Sequence, residues 1–207
     1  MSRRTTWCVI VPLNSESMAK SRLRALGSRR TLLARSFARD VLTALAGSSQ
    51  VDEVLVVGDG TLIADPTQDY PKAVAVPMGI ADLNRAIAAA ESRARSLGYD
   101  QIAVVVADLA CAQPQDFDDV FTRARTAPRA FVADHRGRGT TVLTTTGPAL
   151  DPAFGPHSAQ RHERSGATSL DVTVRIRFDI DEPTDVTLAL AYGVGAATTE
   201  VLGTPAE

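Results

Sequence analysis

Ile102-Ala-Val-Val-Val-Ala-Asp108 is the stretch on which the fold class turns. A short apolar run with three consecutive valines has no wet face. It reads as a strand buried on both sides, as in the middle of a parallel sheet. The run ends on a single carboxylate. Open α/β sheets bind ligands at the carboxyl ends of their strands, so Asp108 is a candidate functional residue. The competing role is to cap the turn that follows.

Working outward, Trp7-Cys-Val-Ile-Val-Pro-Leu13 and Val51-Asp-Glu-Val-Leu-Val-Val57 are two further strands, the second closed by Gly58-Asp-Gly60. Between them a helix from about Ser28 to Ala46 repeats Leu33, Phe37, Val41 and Leu45 on one face, and Gly47 ends it. A short strand, Ala73–Val76, precedes a helix that Asp82 caps and Gly98 stops, with Leu83, Ile87, Ala90, Ala94 and Leu97 inward. Pro114 opens another helix with Phe117, Val120, Phe121 and Ala124 on one side. Alternation of this kind predicts a mostly parallel sheet flanked by helices on both faces. After residue 128 the order changes. Ala130–Asp134 and Thr140–Thr146 predict a hairpin excursion across Gly137-Arg-Gly139. A turn at Phe154–Ser158 leads into a short polar helix through Arg164. Arg175–Asp181 alternates polar and apolar residues and predicts a strand with one wet face. Pro183 opens a last helix carrying Val186, Leu188 and Leu190.

The 207 residues suit one domain, taken as 1–207, with no linker or internal repeat to divide it. Hydrophobic residues at 44% and charged residues at 22% allow a full core. A net charge of -2 gives no basic surplus, so nucleic acid is not an expected partner. Met1–Thr6 lead straight into a strand, and no apolar run is long enough for a membrane span. The expectation is a soluble cytoplasmic protein. Cys8 and Cys111 are far apart and adjoin apolar strands, which reads as buried free thiols. With His135, His157 and His162 scattered, they make no zinc pattern.

Three features carry chemistry. Asp108 ends a central strand. Asp179 and Asp181, two apart, face one side of a late strand and suit Mg²⁺, which takes one or two carboxylates plus phosphate oxygens. Lys20, Arg22 and Arg24 follow the first strand in a polar loop before a helix, a setting for polyphosphate or simply a solvated basic loop. Gly137-Arg-Gly-Thr-Thr141 can cradle an anion on backbone N–H groups or form a plain hairpin turn. Phe154-Gly-Pro-His-Ser158 is a second candidate nest, with Ser158 alternatively a helix cap. A Walker A loop, a complete dinucleotide fingerprint and a Gly-x-Ser-x-Gly elbow are all missing. His157 and His162 receive no catalytic role.

These pieces, in order, resemble the 2-phospho-L-lactate guanylyltransferase family and its actinobacterial phosphoenolpyruvate guanylyltransferase branch. The carriers are Val11-Pro-Leu with Ala19-Lys-Ser-Arg-Leu23, Asp82-Leu-Asn-Arg-Ala-Ile87, Val106-Ala-Asp-Leu109, Phe131-Val-Ala-Asp134 and Gly137-Arg-Gly-Thr140. Phe154-Gly-Pro-His-Ser-Ala-Gln-Arg-His162, Ser165-Gly-Ala167 and Asp179-Ile-Asp-Glu-Pro183 complete the set. The resemblance implies a nucleotide-diphospho-sugar transferase-like (glycosyltransferase-A-like) fold. It also implies Mg²⁺-dependent transfer of GMP from GTP in the biosynthesis of the deazaflavin coenzyme F-420. By the same carry-over, Lys20, Arg22 and Asn84 serve the nucleotide, and Thr140, Gly155 and Ser158 hold the phosphoenolpyruvate or 2-phospho-L-lactate. Asp108, Asp179 and Asp181 bind metal. Lys20, Arg22 and Asp108 form the catalytic set, and homodimerisation is left open. The chain departs from the family at Asp108-Leu-Ala110, usually Asp-Leu-Pro, and at Arg138, usually Thr. Those departures keep two other functions in view: transfer to another phosphorylated acceptor, and non-catalytic GTP binding.

Overall fold

The computed structural model describes residues 5–13, 29–59, 66, 68–78 and 82–203. Seven strands form one sheet in the order β3-β2-β1-β4-β6-β5-β7. They are β1 (Trp7–Pro12), β2 (Val51–Gly58), β3 (Ala73–Pro77), β4 (Ile102–Val105), β5 (Arg129–Ala133), β6 (Thr140–Thr145) and β7 (Thr168–Ser169). β3, β2, β1 and β4 are mutually parallel. β6 runs antiparallel to both β4 and β5, and β7 adds to β5 in parallel. The helices are α1 (Arg29–Gly47), α2 (Leu83–Ser96), α3 (Pro114–Ala124), α4 (Ser158–Arg164), α5 (Val174–Arg177), α6 (Pro183–Tyr192) and α7 (Ala196–Gly203).

The all-apolar β1 needs cover on both faces, and it has it. Trp7, Val9 and Val11 pack with α1 and α3, and Trp7 stacks on Phe121 at 5.2 Å between ring centroids. Cys8 and Ile10 point the other way, against Ala86, Ile87, Ala90 and Ala94 of α2. Each fully buried Val, Leu or Phe here contributes about 1.5–3 kcal/mol. Both cysteines are buried thiols, as the sequence implies, and burial pushes the Cys111 thiol up to about 11. The Asp82 carboxylate accepts the N–H groups of Asn84 and Arg85, Gly98 takes φ +88, and Pro114 occupies the first turn of α3.

Three expectations need correction. The opening run is a strand only to Val105, and Val106–Asp108 extend past it. Arg175–Asp181 is not a strand. Ile176, Phe178 and Ile180 are buried and their neighbours half-exposed, so the period-two burial is real. However, β4 already has β1 on one side and β6 on the other, leaving no central place for another strand. The segment instead makes the turn of α5 and then an extended crossing. α6 is not the last helix, and its Leu188 and Leu190 are exposed while Asp185 and Ala189 are buried.

Candidate active site

β2 and β3 lie to one side of β1 and β4 to the other, so the strand order reverses between β1 and β4. A crevice at the carboxyl ends of those strands is where such sheets place ligands. Asp108 follows β4 at that edge. β6 is antiparallel, so its first residue, Thr140, starts at the same edge, where the Val106 N–H donates to the Thr141 carbonyl at 3.0 Å. Lys20 and Arg22, with Arg24, fall in the stretch that follows β1, at residues 14–28, and lie outside the described residues.

The acidic side is built by the crossing segment. The Ile180 N–H donates to the Asp108 carbonyl at 3.2 Å, and the His135 N–H donates to the Arg177 carbonyl at 2.7 Å. The 177–181 backbone therefore passes over the ends of β4 and β5. Because Ile180 is buried, Asp179 and Asp181 flank it on the half-exposed side. Asp179 Oδ1 is 3.3 Å from His135 Nδ1. The next turn is fixed by Asp185, whose carboxylate accepts the N–H groups of Asp181 (3.0 Å) and Glu182 (2.9 Å) and the Arg136 guanidinium (2.9 Å). Burial alone would raise the Asp185 carboxyl. Those donors outweigh it and hold the group below its usual value. The donor set near Asp108 is carboxylate oxygen, which suits a hard divalent cation. Among the described residues no group of three or more His, Cys, Asp or Glu side chains is placed to hold a metal ion by itself.

The other side gathers Thr140, Gly155 and Ser158 around α4. Ser158 and His162 are four apart on this helix, hence on one face, and both are buried. His162 Nδ1 lies 2.9 Å from Thr140 Oγ1, and His162 Nε2 accepts the Ala153 N–H at 2.9 Å. The Ser158 N–H donates to the Gly155 carbonyl at 3.1 Å. Gly155 has φ +118, and a Cβ there would stand 3.2 Å from Arg161 Nη2, so glycine suits both the turn and the close approach. His157, in the left-handed conformation, is the residue before the helix, so Ser158 is its first residue and not its cap. Burial, then Arg129 and Arg161, lower the His162 pKa from 6.5 to about 4, so the imidazole is neutral at pH 7. Asn84 is placed on this side too. Its amide donates to the Phe154 carbonyl (3.1 Å) and accepts the Phe154 N–H (2.7 Å), clamping the turn before Gly155.

The Gly137–Thr141 stretch is a hairpin turn, not an anion cradle. The Asp134 carboxylate takes the N–H groups of Arg138 (2.8 Å) and Gly139 (2.7 Å), so two of its donors already face an acid. A Cβ at Gly139 would stand 2.6 Å from Asp134 Oδ2. The sequence reading passed over His162, Asp134, Asp185 and Arg136. Asp134 had a signal, since an acid before a Gly-rich turn is a common turn anchor. His162 had none, because Thr140 is distant in the chain.

The chain matches the guanylyl transferase CofC-like family over residues 7–204. The chain belongs to this family. It is 38% identical over 204 residues to phosphoenolpyruvate guanylyltransferase 2 of Rhodococcus jostii, covering 98% of this chain and 92% of that protein. It is 36% identical over 201 residues to the phosphoenolpyruvate guanylyltransferase of Mycobacterium leprae, covering 94% and 93%. Among solved structures, 4-diphosphocytidyl-2C-methyl-D-erythritol synthase superposes with a TM-score of 0.63 at 15% identity, covering 91% of this chain and 99% of that one. A Mycobacterium tuberculosis protein crystallised with manganese does so with a TM-score of 0.55 at 15% identity, covering 90% and 98%. The nucleotide-diphospho-sugar transferase-like fold expected from the sequence is the one observed, and the family is one of guanylyltransferases.

Proposed function

We propose that this protein transfers GMP from GTP to the phosphate of phosphoenolpyruvate, releasing pyrophosphate, in the biosynthesis of coenzyme F-420. The observation that carries the proposal is the pairing of two flanks at one sheet edge. The Asp108 carbonyl accepts the Ile180 N–H between Asp179 and Asp181, and at the same sheet edge Thr140 contacts His162 of α4, the helix that Ser158 opens after Gly155. The names of the Rhodococcus and Mycobacterium leprae relatives support the acceptor.

An acceptor phosphate oxygen attacks the α-phosphorus of GTP. A new P–O bond forms there, the α–β bridging P–O bond breaks, and pyrophosphate departs with the electron pair. A phosphate monoester is largely dianionic at pH 7, with a second pKa of about 6, so no general base has to remove a proton. That agrees with a site whose buried histidine is neutral and holds a hydroxyl and an amide. Asp108, Asp179 and Asp181 are the residues that would hold Mg²⁺. When bound, the ion supplies charge neutralisation on the triphosphate. Lys20 and Arg22, by the family resemblance, would neutralise the same charge. Thr140, Ser158 and the Gly155 backbone orient the acceptor.

Purified protein with GTP and Mg²⁺ should release pyrophosphate when phosphoenolpyruvate is added, and more slowly with 2-phospho-L-lactate. No release with either acceptor, together with GTP binding by calorimetry, would leave transfer to another phosphorylated acceptor or a non-catalytic nucleotide-binding module.

A further inference from the structure

His162 is fully buried and has a fixed pair of partners. The Ala153 backbone N–H can only donate, and it faces Nε2 at 2.9 Å. Nε2 must therefore be the bare nitrogen, and a neutral ring then carries its proton on Nδ1. A doubly protonated ring would set two N–H groups head to head. The Nδ1–H consequently donates to Thr140 Oγ1, 2.9 Å away. A hydroxyl that accepts one such bond still has its own proton to give, and among the described residues no protein group takes it. Phe131 and Phe154 flank the ring, at 6.2 and 5.2 Å between centroids, and restrict its rotation.

We propose that His162 is a positioning residue that forces Thr140 to act as a donor, presenting its hydroxyl proton to an anionic oxygen of the acceptor. Ala153 sets the tautomer, His162 passes that choice to Thr140, and the site becomes selective for a group that only accepts hydrogen bonds, a phosphate or carboxylate oxygen. The inference rests on the reading that Thr140 touches the acceptor.

Two measurements test it. Nitrogen-15 NMR of histidine-labelled full-length protein should show His162 with Nδ1 protonated and Nε2 bare at neutral pH. Finding the proton on Nε2 overturns the proposal without reference to activity. In turnover assays with phosphoenolpyruvate, His162→Gln, whose amide stands in for Nε2, should raise the acceptor KM about tenfold and leave the GTP KM unchanged. His162→Asn, whose amide stands in for Nδ1 and can still donate to Thr140, should stay within about threefold of the parent. Thr140→Val separates the two levels of the argument. An unchanged acceptor KM in Thr140→Val would remove Thr140 from the acceptor site and the inference with it. A raised KM there, with His162→Gln unaffected, would overturn the inference alone. The double variant should be no worse than Thr140→Val, since both lose one interaction; additive losses would count against the coupling.

Discussion

Loop 147–154 arrives at the site with its backbone groups already held by side chains, whereas the segment 179–182 arrives carrying acids. Arg95 binds the Gly147 and Pro148 carbonyls, and Glu91 takes the Leu150 N–H. Arg129 binds the Leu150 and Asp151 carbonyls, His162 and Arg161 hold Ala153, and Asn84 pairs with Phe154. These partners come from α2, β5 and α4, so the acceptor side is cross-braced by three elements before any ligand arrives. The acidic side is held by backbone bonds from Ile180 to Asp108 and from His135 to Arg177, by the His135–Asp179 contact and by Asp185, which joins Arg136 to the Asp181 and Glu182 N–H groups. If Asp108, Asp179 and Asp181 hold the metal as proposed, a cation would join their carboxylates. On that proposal one flank is preformed for orientation, and the other would be completed by charge.

The largest expected effect breaks the acidic flank at its centre. Asp108→Asn should lower pyrophosphate release about 1,000-fold, with the far-ultraviolet circular dichroism unchanged. Near-normal turnover would remove Asp108 from the chemistry and end the comparison. Asp185→Ala is the next most severe. It leaves the Asp181 and Glu182 N–H groups and Arg136 without their shared acceptor, for about 2 kcal/mol of unfolding free energy in urea. It should also raise the Mg²⁺ concentration needed for half-maximal rate by about tenfold. An unchanged Mg²⁺ titration would mean that the acids keep their places without that turn. Asn84→Ala tests the braced flank. The acceptor KM should rise severalfold, to about tenfold at most, with the Mg²⁺ titration unaltered. If the GTP KM moves instead, Asn84 serves the nucleotide, as the family resemblance implied.

The two flanks also differ in how far the sequence reveals them. The position of Asp108 at the carboxyl edge of the sheet was legible from the buried run before it, although the strand itself stops at Val105. The stretches holding Thr140, Gly155 and Ser158 could be read from the residues as anion nests or as plain turn and cap, and only the family resemblance gave them an acceptor role. The braces were not legible at all. His162 joins Thr140 and Ala153, 22 and 9 residues away, and Arg129 reaches Leu150 and Ser165. Such side-chain-to-backbone bonds leave no periodicity. The mistaken strand at Arg175–Asp181 has the same origin. Alternation reports which residues are buried, not whether a sheet neighbour exists. Here Ile176, Phe178 and Ile180 are buried without one.

The smallest effect separates the flanks by acidity. The folded His162 titrates near about 4, below its ordinary 6.5, because of burial and the nearby Arg129 and Arg161, with Asp151 opposing. Between these two values the unfolded chain binds a proton that the folded chain refuses. Stability is therefore complete above 6.5 and falls as the pH drops through that window. Asp185 is lowered too, from a carboxyl's usual 3.8, so its contribution is present above 3.8 and is lost only at lower pH. Asp40, raised by burial where it holds the N–H groups of Ala197 and Thr198, gains relative stability on acidification and partly offsets the loss. Comparing the parent with His162→Gln cancels both acids. Urea unfolding between about pH 7 and pH 5 should show a shallower decline in the variant than in the parent. Parallel declines would mean that His162 takes up its proton as readily folded as unfolded, and the braced flank would then lose its neutral keystone.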